Sequence, residues 1–169
     1  FEKEQKKYFV WDKIIFSNTI KDRYTLSKIK QYKPLVTYDN IDELKKLKEH
    51  CSTAGLVLRV KVPDTGSQVE MSTKFGAEPG DARQLIQQAF DMGLKVEGIS
   101  FHVGSQCTNF DNYTAALAIT AEIFNDARKK GYGLNLVDIG GGFPVPYDPQ
   151  VPEFAKLGTL LNSEFKRLF

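Results

Sequence analysis

The stretch "SFHVGSQ", residues 100–106, holds the densest set of reactive side-chain types in the chain. His102 is followed by Gly104 and Ser105. At the C-terminal end of a strand this grouping can place an imidazole beside a phosphate held by a hydroxyl and backbone N–H groups. Taken alone, a histidine there is more often a hydrogen-bonded structural residue. In "VDIGGGFPVP", residues 137–146, Gly140, Gly141 and Gly142 follow an apolar run. Bare backbone lets amides approach an anion with no Cβ in the way. A tight turn explains one or two such glycines, but three less readily. Arg59, in the apolar segment "LVLRV", is costly to bury without a partner, and a ligand atom or Asp138 would serve. Lys74 in "STKFG" reads as a loop anchor or as a surface lysine.

These residues need elements to position them, and the chain alternates strand and helix patterns. Apolar runs at 13–18, 34–39, 55–62, 95–103 and 134–140 read as strands. Helical patterns are predicted from about Asp22 to Gln31 and over 40–50, the latter capped by Asp39 or Asn40 with Ile41, Leu44 and Leu47 on one face. A third begins at Asp81 with Gln84 completing a capping box, buries Leu85, Ile86, Ala89 and Phe90, and stops at Gly93. A fourth runs from about Asn112 to Lys130 with Tyr113, Leu117, Phe124 and Ala127 on one stripe and stops at Gly131. A fifth starts near Val151, after the loop "PVPYDPQVP". Strands separated by helices mean crossovers and a parallel sheet, so the fold class is α/β.

The position of the glycine run chooses among α/β architectures. A doubly wound sheet favours a glycine-rich loop after its first strand. Here the run follows the last predicted strand, as barrel phosphate sites often do. Alternation agrees. Ile99, Phe101 and Val103 share one face of their strand, with Ser100 and His102 on the other. Arg59 and Lys61 lie opposite Leu58 and Val60, and Asp138 opposite Val137 and Ile139. Several strands thus turn a polar face inward near their C-terminal ends, where barrel active sites lie.

Composition narrows the partners. The 23 basic and 21 acidic residues leave a net charge of +2, which gives no electrostatic case for nucleic acid or a membrane surface. No apolar run reaches the roughly 20 residues a spanning helix needs. Cys51 and Cys107 lack metal-ligand spacing and only two histidines are present, so no metal site is expected. Two reduced thiols are favoured over one disulfide, in keeping with a cytoplasmic protein. The start, "FEKEQKKYFVWDK", has neither an apolar targeting region nor an initiator Met, and reads as a chain whose beginning is missing.

Taken in order, "LVLRV", "STKFG", "GISFHVGSQC" and "LVDIGGGFP" resemble the fold-type III pyridoxal-phosphate decarboxylases of basic amino acids, of which ornithine decarboxylase is nearest in likeness. The resemblance runs from about Lys13 to Tyr147. It implies a pyridoxal 5′-phosphate cofactor, with His102 against one face of its ring and Arg59 near the phenolic oxygen. Ser105 and Gly142, with Gly140 and Gly141 nearby, would form the phosphate cradle. It implies a small amino-acid substrate, L-ornithine before lysine, arginine, diaminopimelate or carboxynorspermidine, and a homodimeric parent. The family also includes decarboxylase-like inhibitors that have lost cofactor binding.

The resemblance further leads us to expect residues 1–169 to be a single partial (β/α)8 TIM-type barrel domain, about strands three to seven. The family's cofactor-bearing lysine lies upstream of these strands, and Lys13, Lys21, Lys61 and Lys74 do not match it. The acidic partner of the ring nitrogen and the C-terminal β-domain, which helps select the substrate, would follow. The isolated chain is therefore expected to be inactive, with exposed sheet edges prone to association.

Overall fold

The computed structural model describes residues 14–147 and 151–169. Lys13 and the centre of the 144–152 loop lie outside the described residues. Five strands, β1 (Ile15–Phe16), β2 (Leu35–Tyr38), β3 (Gly55–Arg59), β4 (Lys95–Ser100) and β5 (Leu136–Asp138), pair in parallel in the order β1-β2-β3-β4-β5. Neighbours in sequence are neighbours in space, with no reversal of order. This is singly wound topology, and the sheet is a partial TIM barrel.

The described residues also form helices α1 (Arg23–Ile29), α2 (Ile41–His50), α3 (Pro79–Asp91), α4 (Asp111–Lys129) and α5 (Phe154–Leu168), with a 3-10 turn at Lys30–Tyr32. Their apolar stripes meet the outward face of the sheet. Leu44, Leu47, Ile86 and Ile123 pack with Val36, Tyr38, Leu56 and Leu58 in the main core. Phe101, Val103, Tyr113, Leu117 and Leu157 form a second core nearer the C-terminal ends of the strands. Cys51 is buried in the first and Cys107 in the second, both as free thiols.

The inner face carries Thr37, Arg59, Ser100 and Asp138, and the pairing register aligns them. Arg59 opposes Ser100 across β3–β4, and Ser100 opposes Asp138 across β4–β5, so the three share one row. A register shift at Leu56/Val57 steps β4 past Glu97 and keeps both Val96 and Ile99 toward the helices.

Several predicted boundaries move. Strand β3 stops at Arg59 rather than 62, because Lys61 donates to the Ala77 carbonyl at 2.9 Å and the chain pairs with the returning loop. Lys61 therefore leaves the inner face and bridges Glu78 at 2.6 Å. The polar ends of β4 and β5 are likewise loop, closing the strands at Ser100 and Asp138. Helix α3 begins two residues before Asp81. Pro79 occupies its first turn behind Glu78, so Asp81 and Gln84 form no capping box. Phe90 is 54% exposed rather than buried, with its ring 5.0 Å from that of Tyr132. Helix α5 begins at Phe154, three residues later than expected.

A buried ion pair ties the first elements together. Lys21 Nζ lies 2.9 Å from the Glu43 carboxylate, both side chains being almost wholly buried, and also donates to the Thr37 carbonyl at the inner end of β2. Burial lowers the Lys21 pKa, against the opposing pull of Glu43. Removing one member should cost far more than the pair contributes, because it strands the other charge. Glu43→Ala is expected to destabilise the fold by roughly 3–5 kcal/mol in urea titration. Asp42→Ala, which removes the exposed partner of Lys45, should cost about 0.5 kcal/mol or less. Equal midpoints for the two variants would contradict the role of the buried pair.

Candidate functional site

At the C-terminal end of the inner face, a cavity of about 250 Å3 is lined by Ser17, Thr37, Arg59, Ser100, Phe101, His102, Asp138, Gly140 and Gly141. Four of the sequence-predicted residues, Arg59, His102, Gly140 and Gly141, thus meet in one place. Gly142 and Ser105 stand outside the cavity lining, on the adjoining rim.

The glycine run is pressed onto the loop after β4. Gly140 has φ +64, and a Cβ there would overlap the Phe101 carbonyl oxygen. Gly142 has φ +95, and a Cβ would overlap the Gly104 carbonyl oxygen. Gly141 is confined differently: its Cβ would come within 3.1 Å of His102 Nε2. Each glycine therefore has an internal packing reason, which the turn reading could not supply for all three. The Gly140 N–H is taken by Asp138 Oδ1 at 2.8 Å. The N–H groups of Gly141 and Gly142 donate to no acceptor among the described residues.

His102 is held from the other side. Its Nδ1 accepts the Gly104 N–H at 3.0 Å, so the neutral ring carries its proton on Nε2, the edge facing Gly141. Burial, and then the nearby Arg59 guanidinium, push its pKa below the ordinary value, against smaller opposite pulls from Asp138 and Asp64.

Of the partners expected for Arg59, Asp138 is not the one it contacts among the described residues. Its guanidinium lies over the Phe75 ring, 5.2 Å from the centroid, and among the described residues it makes no ion pair with Asp138. Asp39 and Asp138 act on it only at longer range, opposing the lowering caused by burial. Phe75 belongs to "STKFG", and that loop is fixed by Asp39, whose Oδ2 accepts the Gly76 N–H at 2.9 Å. Asn40, not Asp39, caps α2 by accepting from Glu43 N at 2.8 Å. Lys74 is exposed and has no ion-pair partner among the described residues.

Ser105 is placed by backbone rather than by its hydroxyl. Its N–H donates to Val69 and its carbonyl accepts from Gln68, at 3.0 and 2.8 Å. The segment carrying Val69 is itself organised by Asp64, which accepts from Met71 N, Ser72 N and Ser72 Oγ within 2.8 Å. Burial of Asp64 acts to raise its pKa, but the bonds from Ser72 and Met71 outweigh it and hold the carboxyl low. Sequence reasoning passed over Asp64, Phe75 and Gln106. Only Asp64 carried a signal, the Asp-Thr-Gly-Ser cluster that favours a turn.

Residues 6–169 match the family model described as "Pyridoxal-dependent decarboxylase, pyridoxal binding domain". The chain is 38% identical to a probable ornithine decarboxylase of Dictyostelium discoideum, over 86% of its own length and 32% of the relative's. It is 35% identical to antizyme inhibitor 2 of Xenopus laevis, covering 94% and 35% respectively. The arginine decarboxylase of Paramecium bursaria Chlorella virus, solved bound to agmatine, superposes with a TM-score of 0.86 at 30% identity, covering 97% of this chain and 44% of that one. The chain thus spans about a third of the length of these curated relatives. Among the described residues no helix is long and apolar enough to cross a membrane, and no cluster of metal-ligating side chains occurs.

The site's own features fit pyridoxal phosphate. Two amides of a glycine backbone lack acceptors among the described residues, an imidazole lies beside them, and a cation stands across the cavity. The electrostatics make a direct prediction. The His102 ring resonance should titrate below the ordinary imidazole value of about 6.5. Arg59→Gln should move the midpoint up and Asp138→Asn should move it further down. Since the folded state resists protonation that the unfolded chain accepts, stability should fall as pH drops from 6.5 toward the lowered midpoint. His102→Gln should flatten that slope. NMR titration alongside urea melts checks both, and the reverse order of shifts would contradict the account.

Proposed function

Because the chain belongs to the pyridoxal-binding-domain family of pyridoxal-dependent decarboxylases, we propose that it forms part of an enzyme that removes the carboxylate of a basic amino acid, L-ornithine in the first instance, giving putrescine and CO2. The observation that carries this reading is the pairing of the acceptor-free amides of Gly141 and Gly142 with the fixed imidazole of His102 on one rim. The choice of ornithine is supported by the likeness to the Dictyostelium protein. Lysine and arginine remain the alternatives, arginine being favoured by the likeness to the viral enzyme.

Bound pyridoxal phosphate supplies an electron-poor ring that takes up the electron pair left when CO2 departs. In this reading the amides of Gly141 and Gly142 and the hydroxyl of Ser105 bind the phosphate, with Gly140 setting the turn that presents them. Arg59 bonds the phenolic oxygen, its guanidinium plane kept in place by Phe75. Asp138 offsets the Arg59 charge and secures Gly140. His102 covers one ring face. With Nδ1 already engaged and its pKa lowered, it stays neutral and adds no repulsion against a protonated ring. It also excludes water from that face, which restricts where the proton returns to the α-carbon. The cytoplasmic homodimer belongs to the same reading, on the resemblance alone.

The similarity to antizyme inhibitor 2 supports a second reading, a decarboxylase-like regulatory protein that does not turn over. One experiment separates them. In the complete protein supplied with pyridoxal phosphate, release of labelled CO2 from ornithine, lysine and arginine is measured with the amine products. The enzyme reading predicts putrescine as the main product. For His102→Ala it predicts a loss of kcat/KM on the order of a hundredfold, with side products at the α-carbon increased. An unchanged product profile would remove the role given to His102. No CO2 from any of the three substrates would favour the regulatory reading.

A further inference from the structure

Gln106 sits next to the site yet belongs to none of its assigned groups. Its φ is +52, and the only other described non-glycine residue with a positive φ is Lys33, at the end of a 3-10 turn. A side chain in that conformation carries a conformational cost. Gln106 meets it while making a reciprocal contact. Its Nε2 donates to the Val145 carbonyl at 3.0 Å, and its Oε1 accepts the Val145 N–H at 2.8 Å. The side-chain amide thus pairs with Val145 as a peptide group on a neighbouring strand would. One residue on, Cys107 N–H donates to the Gly142 carbonyl at 2.8 Å. Three hydrogen bonds therefore join residues 106–107 to residues 142–145.

We propose that Gln106 is a positioning residue for cofactor phosphate: its amide clasps the loop after β5 to the loop after β4, holding the Gly141–Gly142 amides and Ser105 at one separation. This rests on the reading of those amides as phosphate donors. The clasp acts where little else does. Val145 and Tyr147 are 49% and 81% exposed, so the far part of the loop has little packing to hold it. On the near side Phe143 is anchored against Tyr113, ring centroids 5.7 Å apart. Ser105 is already fixed by Val69. Beyond the Cys107–Gly142 bond, the span between the two loops is closed by the Gln106–Val145 pair.

Two variants isolate this role. Gln106→Gly relaxes the positive φ, so the fold is retained while the clasp is lost. Gln106→Met keeps the length and adds no charge but removes both the donor and the acceptor to Val145. The probe pair is pyridoxamine 5′-phosphate and pyridoxamine, which lack the aldehyde that would label surface lysines. Binding of both to the complete chain is measured by titration calorimetry, with amide hydrogen exchange followed over residues 141–147. The ratio of the two affinities reports the phosphate alone. In both variants that ratio is expected to fall about three- to tenfold, the worth of one or two solvent-exposed hydrogen bonds. Pyridoxamine affinity stays unchanged, and exchange over 141–147 accelerates. Faster exchange with an unchanged ratio would make Gln106 a structural clasp only and overturn the proposal. If the unmodified chain shows no preference for the phosphorylated probe, the assignment of the glycine rim itself fails, and the role of Gln106 fails with it.

Discussion

The structure depends on one backbone-to-backbone contact: the glycine loop after β5 lies directly on the loop that leaves β4. Gly140 meets the Phe101 carbonyl and Gly142 meets the Gly104 carbonyl at separations no Cβ would allow. Everything on the rim follows from that approach. It brings Gly141 against the His102 ring, and it leaves the Gly141 and Gly142 amides without acceptors among the described residues. Two amides unpaired at a partly buried rim are unfavourable unless water or a ligand satisfies them. The contact is thus a packing solution, and under the proposed function it is also what presents the amides to the phosphate.

A second constraint is the charge row across β3, β4 and β5. Arg59, Ser100 and Asp138 are aligned by register, so the guanidinium and the carboxylate face the same cavity without forming an ion pair. Phe75 takes the contact that a direct ion pair would have taken. Among the described residues the guanidinium makes no ion pair, and Asp138 keeps one oxygen on Gly140. The row also explains why His102 resists protonation. It is half buried and near a cation whose effect Asp138 and Asp64 only partly offset.

The order of elements, the outward apolar faces and the inward polar row were legible in the sequence, because alternation and glycine stops are local signals. Gly93 and Gly131 do end α3 and α4 with positive φ. What escaped was decided by the long loop over residues 60–78. Nothing local distinguishes Asp39 from Asn40 as a cap, and the choice falls on Asn40 because Asp39 is held by Gly76, 37 residues away. The same loop ends β3 early, removes Lys61 from the inner face and brings Phe75 beneath Arg59. Gln106 gave no sign at all, since glutamine has no preference for the conformation it adopts. Its place is imposed by Val145, 39 residues further along the chain.

The central claim is that the glycine rim binds phosphate through main-chain amides. Amide correlation spectra of the chain during titration with pyridoxamine 5′-phosphate test it most directly. The account predicts saturable shifts concentrated at Gly141, Gly142 and Ser105, and absent when pyridoxamine is used instead. Equal shifts with the two compounds, or shifts scattered over surface lysines with the rim unmoved, would contradict it.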